Sequence, residues 1–244
     1  MSESVRNYVD KLSLLRDIYS YSLEVITECP NNCVSGKIPL VANGVLYHLT
    51  CHLLDKNCKE GLRLLEKMKK YVLGYMKSIS GFPSVHIEFL KKPEASPVVS
   101  GVNSWVNTAS SNFLVLRGVS GTGKSFGAAY ALYLLACKKN LPYWSRPDSW
   151  SKIGALWSTS YRLTTRDETF EEARVKPILI IDDLGSEVPT SASHCKIADI
   201  VSDRHGNERL TIMTTSMDMI EIGKTYGNAT MERIFRNGKE VNCN

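Results

Sequence analysis

Residues 118–125 read Gly-Val-Ser-Gly-Thr-Gly-Lys-Ser, a full match to the pattern G-x-x-x-x-G-K-[ST]. Each demanding position has a physical role. The glycines let a loop wrap a phosphate with backbone N–H groups pointing inward. Lys124 reaches the β- and γ-phosphates, Ser125 ligates Mg²⁺, and the helix that starts there turns its positive end on the anion. Gly118, Val119, Ser120, Gly121, Thr122, Gly123, Lys124 and Ser125 are therefore the expected cradle of a nucleoside triphosphate. The flanks agree. Phe113-Leu-Val-Leu116 reads as a short buried strand and Lys124–Lys138 as a buried helix, the strand–loop–helix order that the motif requires.

Working outward, Lys176-Pro-Ile-Leu-Ile-Ile-Asp-Asp-Leu-Gly185 carries four aliphatic residues that end in two carboxylates. Such a run suits a parallel strand covered on both faces. Asp182 then emerges at the strand's carboxyl end, where open α/β sheets bind ligands, and is expected to hold Mg²⁺ through a water. Asp183 is placed to polarise an attacking water, or else to cap the turn. A third strand is expected over Leu210–Ser216. Thr215 and Ser216 at its end either reach a γ-phosphate or form a turn. Met231–Arg236 reads as a short helix with Arg233 and Arg236 three apart. An arginine of this kind either serves a neighbouring subunit's phosphate or is simply solvated. The sum is an α/β fold, a parallel sheet flanked by helices.

The bulk numbers set limits. The chain has 244 residues, 43% hydrophobic and 23% charged, as expected of one ordinary domain plus a smaller one. No apolar run approaches the ~18 residues of a membrane span. The N-terminus, Met-Ser-Glu-Ser-Val-Arg, lacks the pattern of a signal peptide, so a cytoplasmic protein is expected. A net charge of +5 permits nucleic-acid contact without demanding it. Lys138, Lys139, Arg162 and Arg166 are the candidates for such contact. Seven cysteines argue against a disulfide framework in that compartment.

Four of those cysteines need their own account. Cys29 and Cys33 flank a tight turn before Gly36, and Cys51 and Cys58 follow within one small stretch. Two pairs of thiols make a zinc-ribbon-like layout for Zn²⁺. His48 and His52 are rival ligands, and buried or free thiols the other reading. Before them, Val5, Tyr8, Leu12, Leu15, Tyr19 and Leu23 mark one face of a helix, for packing within its domain or for a partner. After them, Leu62, Leu65, Met68 and Val72 mark another. Residues 78–111, rich in Pro, Ser, Gly and Lys, read as a connector with a lead-in helix over Val98–Val106. The expected division is a helical, zinc-binding, partner-gripping domain over 1–84 and an ATPase domain over 85–244, of which 85–111 is linker and lead-in helix.

These stretches, with Ile200–Arg209 and Glu232-Arg233-Ile234, resemble the DnaC/DnaI/IstB group of AAA+ ATPases, the replicative-helicase loaders and their transposition relatives. The similarity covers roughly residues 110–238. It implies a P-loop AAA+ sheet of the ASCE type, with Asp183 at the catalytic acidic position, Ser216 at sensor 1 and Arg233 as the arginine finger. It also implies ATP and Mg²⁺ as cofactors, an oligomer formed with ATP, and single-stranded DNA and a hexameric replicative helicase as partners, in a bacterium or bacteriophage. Two departures bear on rate. Ser216 stands where Asn is usual, and the sequence ends at Asn244 where family members continue to a sensor-2 arginine. Slow hydrolysis, stimulated by partner or DNA, is the expectation. The alternatives are an IstB-like transposition ATPase, a small-molecule P-loop kinase, and a binding module without turnover. Paired aspartates and a late arginine favour the oligomeric ATPase over the kinase, and no Asn-Lys-x-Asp string supports a GTPase.

Overall fold

A computed structural model describes residues 37–42, 45–50, 59–108, 111–143, 147–236 and 238–244, with side chains from Leu62 onward. The expected helix at 1–28, Cys29, Cys33, Cys51, Cys58 and His52 lie outside the described residues. His48 lies on a strand whose backbone alone is described.

The Cα positions fall into two units, one of residues 1–70 and 143–150, the other of 71–142 and 151–244. In the first, β1 (Lys37–Ala42) pairs antiparallel with β2 (Val45–Thr50), and Ala42 faces Val45. The sequence carries one signal for this pairing, Asn43-Gly44, the dipeptide that two-residue hairpin loops favour. Helix α1 (Lys59–Lys77) follows and runs on into the second unit. Its buried side chains are Leu64, Met68, Val72, Leu73 and Met76, while Leu62 is 52% exposed. The helix is as expected but its apolar stripe runs at steps of four, not through Leu62. No helix among the described residues is long and apolar enough to cross a membrane.

The second unit is built on a five-stranded parallel sheet in the order β4-β5-β6-β3-β7. These strands are β3 (Phe113–Arg117), β4 (Ala155–Thr159), β5 (Ile178–Leu184), β6 (Leu210–Thr215) and β7 (Gly238–Asn242). The three apolar runs became β3, β5 and β6, and β4 and β7 complete the sheet. Successive residues of β3, β5 and β6 enter opposite cores. Leu114, Leu116, Ile178, Ile180 and Ile212 enter one core, and Phe113, Val115, Leu179, Ile181 and Met213 the other. Both faces are covered, so the strands can be apolar throughout.

On the first face lie α2 (His86–Lys91), α3 (Pro97–Thr108) and α4 (Lys124–Asn140). Val72, Leu73, Met76, Ile79 and Phe82 join them there. Residues 71–84, assigned from sequence to the N-terminal domain, thus pack into the sheet's core, and most of the expected connector is folded. On the second face lie α5 (Ser160–Thr165), α6 (Asp167–Val175), α7 (Ser191–Gly206), α8 (Met219–Tyr226) and α9 (Asn228–Arg236). The result is the parallel α/β sheet flanked by helices that the sequence implies. β6 separates the phosphate-loop strand β3 from the aspartate strand β5.

Candidate functional site

The loop of residues 118–123 leaves the carboxyl end of β3 and enters α4. Gly123 caps the helix at φ 85° and Gly121 has φ 84°. Gly127, one turn into α4, is small for a different reason: a Cβ there would lie 2.5 Å from Val98 Cγ1 of α3. Inside the loop, Lys124 Nζ donates to Val119 O at 2.7 Å and Thr122 Oγ1 donates to the same carbonyl at 2.9 Å. The ammonium is thus folded over the loop, at the place where a phosphate would meet it. Val119 N–H donates to Asn244 Oδ1 at 2.9 Å, so the residues after β7 close over the loop.

Asp182 is half-buried at the end of β5 and faces this loop. Its Oδ1 accepts from Ser125 Oγ at 2.8 Å and from Thr214 Oγ1 at 2.7 Å. A hydroxyl and a carboxylate in contact are the hard oxygen donors that Mg²⁺ takes, so the side chains present fit that ion. Asp182 and Asp183 lie where the β5–β6 register shifts, between Ile181 and Leu184. Past this irregularity Asp183 turns left-handed, at φ 61°, with its side chain exposed. Three contacts hold that strained residue. Its N–H donates to Thr214 Oγ1 at 2.8 Å, and its carbonyl accepts from Ser160 Oγ at 2.8 Å and from Ser186 N–H at 3.1 Å. Strain of about 1–3 kcal/mol persists only where surroundings overdetermine it.

Thr214, which the sequence places on the third strand without singling it out, is thus the hinge of the site: one hydroxyl fixes both aspartates. Its signal was available, a hydroxyl at the end of the strand beside β5. Of the two readings of Thr215, the structure favours the turn. The residue is fully buried, donating to Leu184 O at 2.8 Å and accepting from Met217 N–H at 3.0 Å, so it closes the strand end and does not face a ligand. Ser216, next along, is exposed at the carboxyl end of β6.

Two further groups border the site. His86 of α2 lies 6.2 Å from the Phe126 ring and 6.5 Å from Trp157. Burial draws its pKa down, and the Asp182 carboxylate pulls it partly back. Sequence placed His86 in a connector and gave no sign of it. Glu187 is 6% exposed, and its carboxylate accepts from Gly185 N–H at 3.1 Å and from the Tyr226 hydroxyl. Burial and then that carboxylate hold the Tyr226 phenol well above its usual pKa.

Other expected residues stand elsewhere. Arg233 lines a cavity of about 300 Å³ with His205, Ala229, Glu232 and Arg236. The His205 ring stacks on Phe113, the first residue of β3, at 6.4 Å. Arg233 is therefore at the amino end of the sheet, away from its own phosphate loop. The four residues picked for DNA are not gathered. Lys138 and Lys139 of α4 donate to Val106 O and Lys152 O at 2.7 and 2.8 Å. Arg162 and Arg166 belong to α5 and its end, on the opposite face.

Solved structures share this fold. The chain is 18% identical to a protein provisionally assigned as a primosome component of Streptococcus pyogenes serotype M3, over 70% of this chain and 93% of that one, with a TM-score of 0.51. It is also similar to the DnaC helicase loader (20% identity, 58% of this chain and 85% of that one, TM-score 0.46) and to DnaI (18%, 63% and 84%, 0.47). The first likeness establishes the fold. No protein-family profile matches the chain, and no curated protein matches it.

Proposed function

We propose that the chain is an ATP-dependent loader of a replicative DNA helicase, an oligomeric AAA+ switch that binds ATP with Mg²⁺ and single-stranded DNA. One observation carries the ATPase part: Asp182 Oδ1 joins Ser125 and Thr214, while Thr214 also fixes the neighbouring Asp183. The loader part is supported by the Ile-Ile-Asp-Asp-Leu-Gly string after a phosphate loop and by the fold shared with a primosome component.

In this reading the triphosphate takes the loop N–H groups, and Lys124 leaves Val119 O for the β- and γ-oxygens. Ser125 and Asp182 would hold Mg²⁺, which neutralises charge on the phosphates. Asp183 orients the attacking water and accepts its proton, and Ser216 approaches the γ-phosphate from β6. Arg233 serves a neighbour's phosphate, because its place at the far end of the sheet bars its own. The four thiols Cys29, Cys33, Cys51 and Cys58 bind one Zn²⁺ and stabilise the helicase-gripping part.

The test is a mixture with replicative helicases, followed by sedimentation with and without ATP. An ATP-sensitive complex with a hexameric helicase is expected, and absence of any complex rejects the loader. Mixed Arg233→Ala and Lys124→Ala subunits should regain part of the ATPase activity that each lacks. No rescue at any ratio rejects the shared site. Elemental analysis showing no zinc in folded protein rejects the thiol site.

A further inference from the structure

Asp183 begins a tight turn, Asp183-Leu184-Gly185-Ser186, closed by its own backbone bond. Such a turn needs no buried acid. Yet Glu187 is buried beside it, and its hydrogen bonds come from a backbone N–H and a phenol rather than from a cation. Burying a carboxylate in this way costs several kcal/mol, of order, unless its bonds are good. Glu187 uses its two oxygens on two different elements. One accepts from Gly185 within the turn, and the other from Tyr226, the last residue of α8. Tyr226 is seated in turn, edge-on against His194 of α7 at 5.5 Å. The start of α8 is fixed equally well by the Asp218–Glu221 capping box, directly after Ser216. Helix α8 thus runs from the end of β6, which carries Thr214 and Ser216, to the carboxylate that holds the turn of Asp183.

We propose that Glu187 and Tyr226 are positioning residues for ATP hydrolysis, joining α8 to the β5 turn so that the Asp183 carboxylate is held in register with the end of β6. The inference rests on the role given to Asp183 above. The hydrogen bonds of this pair go to Gly185 and to one another, not to the loop of residues 118–125, so the pair acts on the rate and leaves nucleotide affinity alone. A misplacement of about 1 Å at a reacting group can cost about 100-fold in rate.

The experiment measures steady-state ATPase kinetics and Mg-ATP affinity for Tyr226→Phe, Glu187→Gln and Asp183→Asn, and for the double variant Asp183→Asn/Tyr226→Phe. Tyr226→Phe removes one oxygen and keeps the ring against His194. It should lower kcat about 10- to 100-fold, with KM and affinity within about twofold. The double variant should be no slower than Asp183→Asn alone, because the joint then has nothing left to position. The proposal is overturned by a wild-type kcat in Tyr226→Phe, or by rate losses that multiply in the double variant. A change in KM alone also overturns it. Should Glu187→Gln fail to fold, the Tyr226→Phe cycle decides by itself. Failure of the underlying reading looks different: Asp183→Asn would itself turn over at the wild-type rate.

Discussion

The two ends of the parallel sheet treat polar groups in opposite ways. At the amino end, Arg204 is fully buried, and its guanidinium donates to Thr211 Oγ1, Ala173 O, Lys176 O, Pro177 O and Leu210 O at 2.6 to 3.3 Å. None of these acceptors is a carboxylate. Burial, and secondarily the nearby Arg209, draws its pKa down to about 9, so it remains a cation at neutral pH. Every donor is matched to a carbonyl or hydroxyl from the segments around α6 and β6. At the carboxyl end, the groups are held in reserve. Lys124 rests on a loop carbonyl, Asp183 points outward, and the backbone there is strained. A saturated end contributes stability, and an unsaturated end can bind.

This contrast should survive substitution, and the largest effect is expected at the amino end. Arg204→Met leaves several carbonyls buried without donors and should lower stability by about 3–5 kcal/mol. Urea denaturation at unchanged m reads this, and a loss below about 1 kcal/mol breaks the comparison. Lys124→Ala should do the reverse. Nucleotide affinity drops about 100-fold, near 3 kcal/mol, while the unfolding midpoint hardly moves. Calorimetry showing unchanged affinity would remove the phosphate-loop assignment. Asp183→Asn keeps shape and loses basicity, so turnover should slow by about 10²- to 10⁴-fold with binding intact.

The finest test uses the backbone itself. Among described residues other than glycine, two have positive φ: Asp183 at 61° and Glu208 at 51°, one at each end of the sheet. Glycine relieves such strain, so Asp183→Gly and Glu208→Gly should each gain about 0.5–1 kcal/mol. Glu208→Gly should keep full turnover and Asp183→Gly should lose it. Equal turnover in both variants would mean that strain at the carboxyl end has no bearing on chemistry.

The carboxyl end was the more legible of the two in the sequence. Gly118–Ser125, the aliphatic run into Asp182 and the hydroxyls after Met213 announce themselves, because ligand chemistry restricts residue type at fixed spacing. Thr214 and Thr215 show where legibility stops. They are chemically alike and adjacent, and pleating alone sends one to the aspartates and the other into a strand closure. The amino end hides because Arg204 looks like any surface arginine until α6 and β6 fold around it. β4 and β7 are short, and periodicity does not distinguish such strands from loops. The stretch from Ile79 to Leu90 has a connector's composition, and Ile79, Phe82, Ile87 and Leu90 are buried only because a sheet is there to receive them, while Val85 and Phe89 stay exposed.

Two glycines of the phosphate-binding segment are not equivalent as letters in a mutable text. Gly123 is required by its own torsion, and a Cβ there would meet nothing within 4 Å. Gly127 is required by its neighbours: a Cβ there would lie 2.5 Å from Val98 Cγ1 and 3.1 Å from Leu116 Cδ1. In a library that randomises both, alanine at 127 is a spelling that a second change, Val98→Ala, can make readable once the Leu116 side chain gives by a few tenths of an ångström. Alanine at 123 has no such companion, because nothing beside it can be trimmed. The paired positions 98 and 127 can therefore drift together among descendants of this sequence, while position 123 stays fixed alone.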